Sequence, residues 1–222
     1  FEMYPDIDLV LTSTSWPSKL ELKMIELAKK ANIKTATYLD SWVNYRERFD
    51  YPNKGWENNL PEEIWIGDRA AKKLANNLFP KEVKIKFVKN CFFEEFKKSY
   101  RDAKKTVKNV SAILFASQPL AIMPNGEKDR GTIDEFAVLK DLLNELKEIN
   151  FKNRVIIRLH PREEKGKYKG LIDVFKQSLD VVESLESDIL KDLSKAKLVV
   201  GMNSMFLFLA TLIGKKVISI LP

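Results

Sequence analysis

Short β-branched and aromatic runs alternate with longer amphipathic ones along this 222-residue chain, and that alternation restricts it to parallel sheets whose strands are joined by crossover helices. In the first half the pattern predicts strands at 7–12, 33–39, 63–66 and 84–88. A helix is expected over 20–31, with Leu20, Met24, Leu27 and Ala28 on its inward face, and another over 69–79 with Asp68 as its N-cap. The charged stretch 94–108 reads as a helix running into a connector. The alternation then restarts at Ser111, with strands at 112–116, 155–159, 181–183, 198–200 and 217–221 and helices over 133–149, 168–177, 188–196 and 204–213. The expected fold class is α/β, with two Rossmann-like doubly wound parallel-sheet units, 1–108 and 109–222, facing a cleft. A complete two-domain enzyme of this kind carries more sequence before Phe1 and helices after Pro222, so a truncated or unusually compact member is expected.

Charge and apolar content narrow the partners. Lys and Arg outnumber Asp and Glu by 38 to 31, and the resulting +7 favours anionic ligands such as nucleotides, anionic sugars or phospholipid headgroups. The lysines are interspersed with glutamates, as in Glu94-Glu95-Phe96-Lys97-Lys98, and no aromatic-interleaved basic stripe occurs, so specific nucleic-acid reading is disfavoured. The most apolar stretch, 202–213, is too short to span a bilayer, and the first residues lack a basic n-region. A cytoplasmic protein able to meet the inner face of a membrane is the expectation. The single cysteine, Cys91, excludes an internal disulfide and a cysteine-rich zinc site.

Two motifs carry the candidate chemistry. Arg158-Leu159-His160-Pro161-Arg162 falls at the C-terminal end of a predicted strand, where open parallel sheets bind ligands. His160 is the only histidine, and the proline after it forces an abrupt strand exit. Arg158 and Arg162 bring forked donors suited to phosphate. The second motif, Val199-Val200-Gly201-Met202-Asn203-Ser204, is a strand end that leads into an apolar helix. There Gly201 permits close backbone approach, and Asn203 and Ser204 offer groups at a helix start to an anion.

Other strand ends fill in the site. Ser117 follows the first strand of the second unit as a phosphate-side donor, and Glu183 and Ser184 end a short strand where a carboxylate can meet a nucleoside. In the first unit Asp40 is the candidate general base, with Trp42 and Tyr45 as acceptor-side stacking surfaces. An ordinary helix cap at Ser204, a buried Asp40 and a core-packed Trp42 stand beside these readings. No P-loop, G-x-G-x-x-G, Asp-x-Asp pair or histidine cluster occurs, so neither a cofactor nor a metal is expected.

The pairing of Arg158-Leu159-His160-Pro161 with Gly201-Met202-Asn203-Ser204-Met205 resembles bacterial GT-B-type glycosyltransferases with His-Pro and serine motifs. These are the sialyltransferases, polysialyltransferases and capsule Kdo transferases. The resemblance covers roughly the last half of the chain. It implies that His160 and Ser204 hold the phosphate of a CMP-sugar or other nucleotide-sugar donor. Those families commonly carry Ser-Ser or Ser-Thr where this chain has Ser204-Met205. UDP-sugar 2-epimerases share the architecture but depend on further cleft histidines, which makes them the lesser enzyme reading.

The function expected is metal-independent transfer of a sugar to a hydroxyl on a glycan or lipid-linked acceptor, in surface polysaccharide or glycoconjugate synthesis. A non-catalytic nucleotide- or glycan-binding module, or a fragment, is the competing class.

Overall fold

A computed structural model describes residues 6–13, 18–120 and 134–220. Position 133 of the fourth expected helix and position 221 of the last expected strand lie outside them. The chain divides between Cys91 and Phe92 into two compact units.

The first unit is a four-stranded parallel sheet in the order β1 (Leu9–Thr12), β2 (Lys34–Leu39), β3 (Glu63–Ile66), β4 (Lys84–Phe87). Helices α1 (Leu20–Lys30) and α2 (Arg69–Leu78) make the crossovers between β1 and β2 and between β3 and β4. Asp68 caps α2 as expected, its Oδ1 accepting from the Ala71 N–H at 2.8 Å. The inward face of α1 differs from expectation. Ile25 and Ala28 are fully buried, whereas Leu20 is 72% exposed and Met24 and Leu27 also face outward. The eleven-residue helix has apolar residues on more than one face, so periodicity alone selects the wrong stripe. Glu63, buried at the start of β3, is held by Lys34 from β2, Lys86 from β4 and the Trp65 indole N–H.

The second unit carries a five-stranded parallel sheet in the order β7-β6-β5-β8-β9, from β5 (Ala112–Ala116), β6 (Val155–Arg158), β7 (Val181–Glu183), β8 (Ala196–Gly201) and β9 (Lys216–Ser219). Helix α4 (Glu135–Glu148) and α5 (Lys169–Phe175) pack on one face through Leu139, Leu143 and Phe175 against Phe115 and Ile157. The other face is covered by α3 (Cys91–Lys105), α6 (Ile189–Lys195) and α7 (Met205–Leu212). Every residue of β5 is buried, as a strand covered on both sides requires.

Helix α3 packs on the second sheet, although the expected boundary placed the helix of 94–108 with the first unit. Phe93, Phe96 and Tyr100 lie at helical spacing on one face and join Leu114, Ile156 and Leu193, with the Phe93 ring 5.2 Å from that of Phe208.

Three helices end on the same left-handed cap. Asn32, Asn150 and Gly214 take positive φ after α1, α4 and α7, and in each case the next N–H reaches back to a carbonyl of the last turn: Ala28, Leu146 or Ala210.

Candidate functional site

In the second sheet the order reverses at β5, with β6 on one side and β8 on the other, and a ligand crevice is expected outside the carboxyl ends of the strands at such a switch. A cavity of about 430 Å³ opens there. Ser117 after β5, Arg158 and His160 from β6, Ser187 and Ile189 before and in α6, and Ser204 to Phe206 at the start of α7 all line it. Gly201 makes this edge compact. A Cβ at that position would meet the Ala116 carbonyl oxygen at 3.0 Å and Leu207 Cδ2 at 3.1 Å, so its smallness serves strand and helix packing at the cavity floor.

His160 sits in a tight turn with Pro161 at its second position, closed by the Glu163 N–H donating to the His160 carbonyl at 2.9 Å. Its Nδ1 accepts from the Arg162 N–H at 3.1 Å. That contact keeps Nδ1 unprotonated and places the ring proton on Nε2. Burial lowers the imidazole pKa, helped by Arg162 and opposed by Glu163, so the ring is a neutral N–H donor.

Ser204 is the N-cap residue of α7 in position, yet its hydroxyl makes no cap bond. Its Oγ is buried with no hydrogen-bond partner among the described residues. A buried hydroxyl without a partner costs roughly 1–3 kcal/mol, so a ligand oxygen at this point would remove a real penalty.

Other expected donors are already committed. One Arg158 nitrogen donates to Asp192 Oδ2 at 2.6 Å and to the Glu186 carbonyl, and the second donates to the Ser187 carbonyl. Asp192 is 2% exposed and also accepts from Ser184 Oγ at 2.6 Å. Ser184 therefore builds the wall carried by the 184–188 loop, and Arg158 braces that wall with three of its five N–H donors while lining the cavity. Ser117 Oγ donates to Glu163 Oε1 at 2.8 Å and lies 2.6 Å from the Tyr168 hydroxyl. With its one proton on Glu163, it must accept from Tyr168 and has none left for a phosphate.

Glu183 is turned to the Gly166 N–H, Asn203 donates its backbone N–H to Gln118 Oε1, and neither lines the cavity. Arg162 is exposed, outside the cavity lining, and its guanidinium has no hydrogen bond or ion pair to a described residue.

In the first unit, Asp40 is 66% exposed after β2 and pairs with Arg48 at 2.9 Å, while Arg48 also donates to Ser41 Oγ. Trp42 is half-buried against the core, and its indole N–H donates to Asp68 Oδ2 at 2.8 Å. Tyr45 corrects the expectation of a stacking surface. It is 1% exposed, its ring stacks on Phe79 at 6.1 Å, and burial pushes its phenol up to about 12. Apolar burial of the ring outweighs any use at a surface.

Sequence reasoning passed over Glu163, Lys167, Tyr168 and Asp192. The first was readable as an acceptor three residues after a His-Pro turn. Lys167 follows Glu163 by four residues, and Tyr168 and Asp192 reach the site across 51 and 34 residues of chain with no local signature. Among the described residues no group of three or more His, Cys, Asp or Glu could hold a metal ion, and no helix is long and apolar enough to cross a membrane.

No protein-family model and no curated protein matches the chain. Solved structures do. The UDP-GlcNAc 2-epimerase of Methanocaldococcus jannaschii aligns with a TM-score of 0.60 at 16% identity, over 96% of this chain and 60% of that one. MurG of Acinetobacter baumannii aligns with a TM-score of 0.52 at 12% identity, over 93% and 50%. The chain thus spans about half to three fifths of these proteins. At such identities the likeness is one of fold: two Rossmann-like parallel-sheet units in tandem, the GT-B class.

Proposed function

We propose that the chain is a GT-B-type glycosyltransferase, or the greater part of one, whose second unit holds a nucleotide-activated sugar for transfer to a hydroxyl of a glycan or lipid-linked acceptor. The observation that carries this reading is the cavity at the β5 switch point, with an unpartnered Ser204 hydroxyl and a neutral His160 donor on its lining. Ile189 and Phe206 supply an apolar wall for a base and ribose. The first N–H groups of α7, an eight-residue helix, supply donors and a positive dipole end for phosphate.

In this scheme the departing phosphate is stabilised by fixed donors and by Arg162, the cation nearest His160 in sequence that no described residue engages, without a metal. A CMP-sugar is the first donor to try, on the strength of the His-Pro and serine motifs. Asp40 is the proposed base. Its exposed carboxylate has Oδ1 on Arg48, which would have to release it or hold it in place for an acceptor hydroxyl. Surface polysaccharide or glycoconjugate synthesis, at the cytoplasmic side of a membrane, is the proposed setting.

The test is a thermal-shift series with CMP, CDP, UDP, GDP and ADP. Selective stabilisation by one nucleotide supports the donor site, and no stabilisation by any of them overturns it. The matching nucleotide sugar then separates the classes. Acceptor-dependent nucleotide release supports transfer, epimerised sugar with the nucleotide retained indicates an epimerase, and binding without turnover indicates a module.

A further inference from the structure

Beside the cavity lies a buried ionic cluster that the proposed chemistry leaves unused. Glu163 is 2% exposed, and three groups converge on its carboxylate. Oε2 accepts the His160 backbone N–H at 2.6 Å, and Oε1 accepts from Ser117 Oγ at 2.8 Å and from Lys167 Nζ at 2.6 Å. Lys167 in turn reaches Glu135 Oε1 at 2.7 Å and lies over the rings of Phe136 and Tyr168. Its ammonium is raised well above the ordinary range by Glu135 and Glu163, against the effect of burial.

We infer that Glu163 is the positioning residue of the candidate phosphate site, fixing the backbone and the tautomer of His160. The inference rests on the donor-site reading for its functional meaning and on Glu163's own contacts for its geometry. The carboxylate side chain folds back on the amide of the residue three before it, while its own N–H closes the turn onto the His160 carbonyl. Both main-chain polar groups of His160 are thereby held by Glu163. With the turn locked, the Arg162 N–H is delivered to Nδ1, and the proton is confined to Nε2. Lys167 balances the carboxylate, so Glu163 can stand beside a bound phosphate without repelling it.

The task requires an acceptor at both oxygens. In the isosteric Glu163→Gln, the amide NH₂ must face either the His160 N–H or the Ser117 and Lys167 donors. The substitution thus keeps shape and removes function.

Since His160 is the only histidine, its ring nitrogens can be read without assignment ambiguity in ¹⁵N NMR of the full chain. In the unaltered protein we expect a single Nε2–H tautomer and a downfield, exchange-protected His160 amide. An amide exchanging at loop rates overturns the inference without any variant. Glu163→Gln is expected to give averaged tautomer signals and at least a tenfold loss of affinity for whichever nucleotide the wild type binds, CMP being the first probe. Tyr168→Phe, which removes another buried hydroxyl of the cluster, is expected to lower stability and leave the tautomer pattern intact. An unchanged tautomer pattern in Glu163→Gln, or the same averaging in Tyr168→Phe, overturns the positioning role. If the wild type binds no nucleotide, the donor-site reading fails, and the NMR result still decides the positioning claim.

Discussion

At the C-terminal edge of the first sheet Asp40 pairs with Arg48 and Trp42 with the α2 cap Asp68, while the buried hydroxyls of Tyr38 and Tyr45 have no partner among the described residues; the same edge of the second sheet keeps Ser204 Oγ and the His160 ring proton uncommitted around a cavity. The residue types are alike: a carboxylate or hydroxyl at a strand end, then a helix. What differs is topology. The described strands of the first sheet run β1-β2-β3-β4 without reversal. The second sheet reverses at β5, and the loops after β6 and β8 part on either side of it. Residue type proposes a site, and the strand order decides where a crevice opens beside it.

The largest expected effect tests the wall of that cavity. Arg158→Ala leaves Asp192 buried without its ion-pair partner and should lower the stability of the second unit by about 3–5 kcal/mol in urea denaturation. Asp40→Ala removes the corresponding pair at the exposed edge and should cost under about 1 kcal/mol. Equal losses would erase the distinction between the two edges.

Next come the ligand-facing groups. His160→Ala is expected to weaken nucleotide binding roughly tenfold to hundredfold by calorimetry, the range for one or two good hydrogen bonds. Unchanged affinity would remove His160 from the site. The two helix starts then give a direct contrast. Asp68→Ala should cost about 1 kcal/mol of stability because its carboxylate makes a real cap, and Ser204→Ala, which removes an unpartnered buried hydroxyl, should keep or raise stability while weakening nucleotide binding about tenfold. A Ser204→Ala protein destabilised as much as Asp68→Ala would show the serine to be an ordinary cap.

The smallest effect is a pH dependence confined to the first unit. Burial pushes the Glu63 carboxyl up, but hydrogen bonds from Lys34, Lys86 and Trp65 outweigh it and bring the pKa down from the ordinary 4.5 to about 2. A depressed folded pKa means that the stability Glu63 adds is complete above about pH 4.5 and is lost as pH falls toward 2. Acid titration of Glu63→Gln should show a flatter decline over that window than the wild type, and superimposable curves would deny Glu63 that part.

The strands were legible because a covered parallel strand must be apolar throughout, as in Ala112-Ile113-Leu114-Phe115-Ala116. The inward face of α1 was not, because apolar residues on several faces give no single stripe. His160 and Ser204 were legible because a proline after a strand and a hydroxyl before an apolar helix are local signals. The fate of Arg158 was hidden, since Asp192 lies 34 residues on and comes into reach only when β6 and α6 pack. Tyr45 illustrates the same limit from the other side: its loop reads as polar, and only the ring of Phe79 shows where it goes.

The cavity at the β5 switch point is assembled from chain segments near 117, 160, 187 and 205. No single hairpin or helix pair contains it, so it exists only when the ends of β5 and β6 and the starts of α6 and α7 have come together. A nucleotide that occupies it acts as a clasp on four distant stretches at once. Ligand should therefore slow amide exchange throughout β5, β6 and β8 and not in one loop, making occupancy of the site a global report on whether the unit is folded.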